Sequence, residues 1–105
     1  MRQSVQLKLD DLEQLASIGR ALSVSTRIEI LQLLCKKDMN INEIAECLGI
    51  PQSSAAAHIK VLEETNLIKT TLQPGVRGSM KLCSKTIDAI QIFLQSSMKD
   101  VEKKE

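Results

Sequence analysis

The sequence predicts a mainly α-helical domain that carries one small β-hairpin, and three observations predict it. Apolar residues recur at spacings of three and four over most of residues 8–66. Two short alternating runs, Leu67–Leu72 and Ser79–Cys83, flank a loop holding Pro74, Gly75 and Gly78. Gly49 separates two helical patterns by about three residues. The first feature marks amphipathic helices, the second a hairpin with a long tip, and the third a helix-turn-helix.

Each element has its own signal. "KLDDLEQLASIGRAL", residues 8–22, spaces Leu9, Leu12, Leu15, Ile18 and Leu22 on one face, and its early acids suit a helix start. "TRIEILQLLCKK" is a second helix, with Ser23 or Ser25 as its cap. Its inner stripe is Ile28, Leu31, Leu34 and Cys35, widened by Ile30 and Leu33. The helix-turn-helix occupies about 41–65. Asn40, three residues before Glu43, starts it as a capping box. Gly49 suits the left-handed end of its first helix, and Pro51 the first turn of the next. Ala55, Ile59 and Leu62 form that helix's inward stripe. The hairpin covers about 67–83. A last helix is expected over about 84–102, capped by Ser84, with Ile87, Ile90, Leu94, Met98 and Val101 on one face. That face extends past the small core. It is expected to meet Leu12 and Leu15 of the first helix of a second subunit, or else to pack on its own domain.

Composition narrows the function. The 105 residues suit one domain, 1–105. A net charge of +1 gives no global field for a polyanion, so a charged partner must be read from local charge. With no Trp or Tyr and only Phe93, an aromatic platform for single strands is excluded. Three cysteines, Cys35, Cys47 and Cys83, form no CxxC, and no apolar run resembles a leader or a bilayer span. These features suggest a cytoplasmic protein with no membrane partner, its reduced cysteines acting as small buried hydrophobes. No cluster suggests an enzyme. His58 has no nucleophile near it in sequence, and no glycine-rich phosphate loop occurs.

Four helices, a hairpin and a last helix make a winged helix-turn-helix. "ALSVSTRIEILQLL" and "IAECLGIPQSSAAAHIKVLEETNLI" resemble, in order and spacing, the ArsR/SmtB-type bacterial repressors, from about Ala21 to Ser84. Thr26, Arg27, Gly49, His58, Lys60 and Leu62 fall on that pattern. Pro51 and Ala56 stand where Ser is usual, and Asn66 where Gly is usual. The resemblance implies a homodimer bound to double-stranded DNA, with His58 in a supporting role. It also implies metal sites that this chain lacks. Asn40 and Asn42 occupy the positions of the arsenic-type cysteines, and the last segment has Asp88 but no His.

The fourth helix then carries the chemistry. Small residues let a helix backbone approach the floor of a major groove about 12 Å wide. Gln52 can pair with adenine, while Ser53 and Ser54 can bond phosphates or base edges. Ala56 and Ala57 can touch thymine methyls, and Lys60 can reach a phosphate. Arg77 on the hairpin tip can enter a minor groove or hold a phosphate. From Pro51 to Lys85 there are five basic residues against two acidic ones, a local +3. The expectation is a DNA-binding regulator, a repressor, that uses no metal or cofactor and answers an unknown effector ligand, a redox change or a partner. The ending "KDVEKKE" also suits the first part of a longer regulator. Two other readings are a winged-helix protein-interaction module and a thiol- or metal-gated sensor using Cys35, Cys47 and Cys83.

Overall fold

The computed structural model describes residues 6–9, 11–75 and 78–94. Among these residues there are four helices: α1 (Leu12–Ala21), α2 (Ser25–Lys36), α3 (Ile41–Leu48) and α4 (Gln52–Glu64). The strands are β1 (Gln6–Leu9), β2 (Met39–Asn40), β3 (Ile68–Gly75), β4 (Gly78–Lys85) and β5 (Ala89–Ile92). An antiparallel sheet runs β2-β4-β3, and β1 pairs in parallel with β5.

Local chemistry sets the helix ends. The Asp11 carboxylate accepts from the Glu13 backbone N–H at 3.0 Å, so α1 starts at Leu12 rather than at residue 8. Residues 6–9 are a strand instead. Leu7 and Leu9 alternate with Gln6 and Lys8, the period of two that a strand requires. Neither Ser23 nor Ser25 caps α2; Val24 holds that position, and the Ser23 hydroxyl donates back to the Arg20 carbonyl. The capping box at α3 is complete. Asn40 Oδ1 accepts from the Glu43 N–H at 2.8 Å, and Glu43 Oε1 accepts from the Asn40 N–H at 2.9 Å. Gly49 takes φ 66° and ψ 36°, a left-handed turn that most side chains resist. Pro51 sits just before α4, not within its first turn, and its carbonyl accepts from Ala55 N at 3.0 Å. Asn66 ends α4's connection at φ 64°, and its carbonyl accepts from the Thr86 hydroxyl at 2.7 Å.

One apolar core holds these elements together. Ile18 and Ala21 of α1, Ile30 and Leu34 of α2, Ile44 and Ala45 of α3, and Ala55, Ile59 and Leu62 of α4 are buried. Leu67, Ile68, Met39 and Cys83 close it from the sheet side. The α2 stripe differs from expectation. Ile30 and Leu34 face inward, whereas Ile28 is exposed and Cys35 lies in solvent. Cys47 is also exposed, so only Cys83 is the buried hydrophobe expected of all three.

Residues 84–94 correct the first part of the expected last helix, whose remainder, to about residue 102, lies outside the described residues. Ser84 and Lys85 are the final rungs of β4, opposite Lys69 and Ile68. A Lys85–Asp88 ion pair spans the bend, and residues 89–92 then form β5. The β-branched Thr86, Ile87, Ile90 and Ile92 favour extended backbone, and β1 supplies the pairing that a helix would forgo. The hairpin also differs. Pro74 pairs with Ser79 and Gly75 with Gly78, so the strands run beyond Leu72 and the connection is residues 76–77 rather than a long tip. Pro74 is tolerated because β3 is an edge strand.

Two substitutions test this packing. Leu62→Ala empties a fully buried site and should cost about 2–5 kcal/mol in urea denaturation. Gly49→Ala meets no neighbour but imposes a positive φ on a side chain, and should cost about 1 kcal/mol.

Candidate nucleic-acid interface

α4 divides cleanly into two sides. Ala55, Ile59 and Leu62 point into the core at 2% exposure or less. Ser53, Ala56, Ala57 and Lys60 are exposed, and their spacing of three and four places them on one outer stripe. Gln52 is exposed beside that stripe at the start of the helix. Ser54 is not part of it. It is half-buried, one turn before His58 and two before Val61, on the flank between core and solvent.

The turn aims this helix, and a guanidinium fixes it. Gly49 reverses the chain after α3, and the Ile50 N–H returns to the Ala45 carbonyl at 3.1 Å. Arg27 Nε donates to the Ala21 carbonyl at 2.7 Å and Nη2 to the Arg20 carbonyl at 3.0 Å. Its Nη1 lies 3.3 Å from His58 Nδ1. A guanidinium cannot accept, so Nδ1 is the acceptor and the ring proton sits on Nε2. His58 therefore joins α4 to the helices behind it.

The wing extends from the far end of α4. The Thr70 hydroxyl donates to Glu63 Oε2 at 2.8 Å, tying β3 to α4. Lys69 on β3 and Lys81 on β4 are exposed, on opposite faces of the hairpin, and Lys60 is exposed on α4. Lys85 belongs to the ion pair with Asp88. Arg77 lies outside the described residues, as does Met98. Of the residues expected at a subunit interface, Leu12 and Leu94 are exposed, while Leu15, Ile87 and Ile90 are half-buried against the core.

Sequence reasoning left two contributions out of the site. Arg27 was noted only as part of a pattern, although a basic residue one turn into a helix that follows an uncapped helix end is a signal. Lys69 and Lys81 entered the charge count but not the site, because strand alternation alone does not show where the wing leaves the body. Among the described residues, no group of three or more His, Cys, Asp or Glu side chains is placed to hold a metal. Asn40 is occupied in capping α3. No helix among them is long and apolar enough to cross a membrane.

A helix-turn-helix followed by an antiparallel hairpin is the winged helix-turn-helix class of DNA-binding fold. Residues 25–70 match the family described as bacterial regulatory protein, arsR family. The chain is similar to the HTH-type transcriptional regulator KmtR of Mycobacterium tuberculosis, 31% identical over 61 residues that cover 58% of this chain and 47% of KmtR. It is 35% identical over 66 residues to the uncharacterized HTH-type transcriptional regulator MJ0229 of Methanocaldococcus jannaschii, covering 63% of this chain and 66% of that one. The chain thus spans about half the length of KmtR. Among solved structures, the homodimeric winged helix-turn-helix DNA-binding domain Mb0332 of Mycobacterium bovis superposes with a TM-score of 0.64 at 26% identity, over 70% of this chain and 65% of that one.

The thiols give a test of the burial pattern. Burial, with Glu63 nearby, pushes the Cys83 thiol up to about 11. Cys35 and Cys47 should react promptly with a thiol reagent, and Cys83 only on unfolding. Below about pH 9 the Cys83 thiol is neutral in both folded and unfolded chains. Between about pH 9 and about pH 11 the unfolded chain ionises first, so this residue's contribution to stability should fall across that window. Urea midpoints of the protein and of Cys83→Ala, measured across that range, should converge.

Proposed function

We propose that this protein is a sequence-specific regulator of transcription that binds double-stranded DNA. It acts as a cytoplasmic homodimer, a repressor on a pseudo-palindromic operator. The observation that carries the reading is the outer stripe of α4. Ser53, Ala56, Ala57 and Lys60 stand in solvent beside Gln52, on a helix whose other side is locked into the core. Three small side chains and one cation form a face that a major groove admits closely. Gln52 reads adenine, Ala56 and Ala57 meet thymine methyls, and Ser53 and Lys60 hold phosphate. Ser54, half-buried on the flank of that stripe, holds phosphate or a base edge beside Ser53. Arg77, outside the described residues, takes the flanking minor groove or backbone. Similarity to KmtR and MJ0229, both HTH-type transcriptional regulators, supports the reading.

The repressor works without the usual metal sites of its relatives. Supporting this, Asn40 and Asn42 replace soft thiolates with amides, and Asn40 is spent on a helix cap. Release is then driven by an effector of another kind.

Mobility shift on the region upstream of its own gene, at two salt concentrations, tests the reading. A shift that resists competitor DNA and weakens with salt is expected. Lys60→Ala should weaken binding to all sequences alike and flatten the salt slope by about 2, one phosphate per subunit. Gln52→Ala should instead cost about 1–3 kcal/mol at one base pair of each half-site. No salt-dependent shift on any genomic fragment would favour the protein-interaction module.

A further inference from the structure

The contact between Arg27 and His58 depends on the state of the imidazole. Ring Nδ1 lies 3.3 Å from Arg27 Nη1. A guanidinium has donors only and keeps its charge at any ordinary pH, so the contact exists only while Nδ1 offers a lone pair. An imidazole that takes up a proton carries N–H on both nitrogens and a positive charge. It then meets the guanidinium as donor against donor and cation against cation.

Of the two groups, Arg27 is the one held in place. Its Nε and Nη2 donate to the Ala21 and Arg20 carbonyls at 2.7 and 3.0 Å. The half-buried His58 ring has water on one side to turn toward. Nearby charge does not offset the conflict. No carboxylate of the described residues lies within ion-pair distance of the ring. One turn away on α4, Ser54, Ala55, Val61 and Leu62 are uncharged, as are Ser23, Val24, Ile30 and Leu31 around Arg27 on α2. On α1, the Arg20 guanidinium donates to the Ser17 hydroxyl. Glu43 of α3 caps its own helix, and Glu63 of α4 accepts from Thr70. Glu13 of α1 and Glu64 of α4 face a separate polar cleft. Glu29 of α2, Glu46 of α3, Lys60 of α4 and Lys69 of β3 are exposed.

We propose that His58 is a proton-operated latch on the recognition helix. The neutral ring ties α4 to α2 and to the end of α1 through Arg27; the protonated ring lets go. The inference rests on the DNA-binding role proposed above and adds a regulation to it. Ala55, Ile59 and Leu62 stay in the core in both states, so the release changes the aim of α4 and not the fold. Base contacts demand exact placement, whereas attraction to phosphate does not. A protonated ring even adds a cation to α4. Mild acid therefore lowers discrimination between target and non-target DNA, not the general attraction to a duplex.

The chain has one histidine, so nitrogen-15 NMR of the protein alone reads the latch directly. At about pH 8 the ring should be the Nε2–H tautomer, and the Arg27 Nε–H signal should move in step with the ring as pH is lowered to about 5.5. In His58→Asn, Oδ1 takes the place of Nδ1, accepts from the guanidinium and does not titrate, so the Arg27 signal should stay still. The wild-type spectrum decides the point even if that substitution unsettles α4. Competition mobility shifts then test the regulation. The ratio of specific to non-specific affinity should fall about tenfold in the wild type between these two pH values, and less than about twofold in His58→Asn. An Arg27 signal that ignores the ring, or moves equally in His58→Asn, would overturn the latch whatever DNA shows. Specific binding with the same discrimination at both pH values would overturn the regulation while leaving the DNA-binding reading standing. Absence of specific binding at either pH would overturn both together.

Discussion

Beyond its core packing, α4 is joined to the helices behind it through one side chain, Arg27. Helix α1 ends with carbonyls that have no partner within the helix and carry the negative end of its dipole. Arg27 donates to the Ala21 carbonyl and shares the Arg20 carbonyl with Ser23, and it turns its remaining nitrogen toward His58 on α4. The guanidinium is planar and presents its donors in fixed directions. Satisfying α1 therefore sets where α4 can lie. A lysine would neutralise the same dipole without fixing the same angle. The single histidine of the chain belongs to this joint.

A second constraint reaches the wing. β2 is two residues long, yet Met39 pairs with the buried Cys83 and Asn40 with Leu82. Asn40 also begins α3. One residue thus ends a strand of the sheet and caps the first helix of the helix-turn-helix. With the Thr70–Glu63 hydrogen bond at the other end, the wing root and α4 share one frame. The three exposed lysines, Lys60, Lys69 and Lys81, are held in that frame although they come from three separate elements.

Features decided by neighbouring residues were legible in the sequence. The Asn40–Glu43 box, the left-handed Gly49 and the inward stripe of α4 each follow from spacing within a turn or two. Asn66 was legible through the tolerance of Asn for a positive φ. What failed depended on distant partners. Ile87, Ile90 and Leu94 fit a helical spacing, but Ile90 and Ile92 fit a strand equally well. The choice was made by residues 6–9, at the other end of the chain. α2 misled for another reason. It is apolar around most of its circumference, so the sequence could not distinguish an Ile30–Leu34 stripe from one containing Ile28 and Cys35. Ser54 shows the same limit within the site, since one position along a helix is a rotation of about 100°.

The separation of α4 into a buried and a solvent side has a consequence for how such a protein diversifies. Packing is carried by Ala55, Ile59 and Leu62, and none of these stands on the outer stripe. Exchanges of exposed residues usually alter stability by less than about 0.5 kcal/mol. Gln52, Ser53, Ala56, Ala57 and Lys60 can therefore change one by one without endangering the fold. If those five positions read DNA as proposed, a duplicated copy acquires new target sequences through them while keeping its scaffold and its joint at Arg27 throughout.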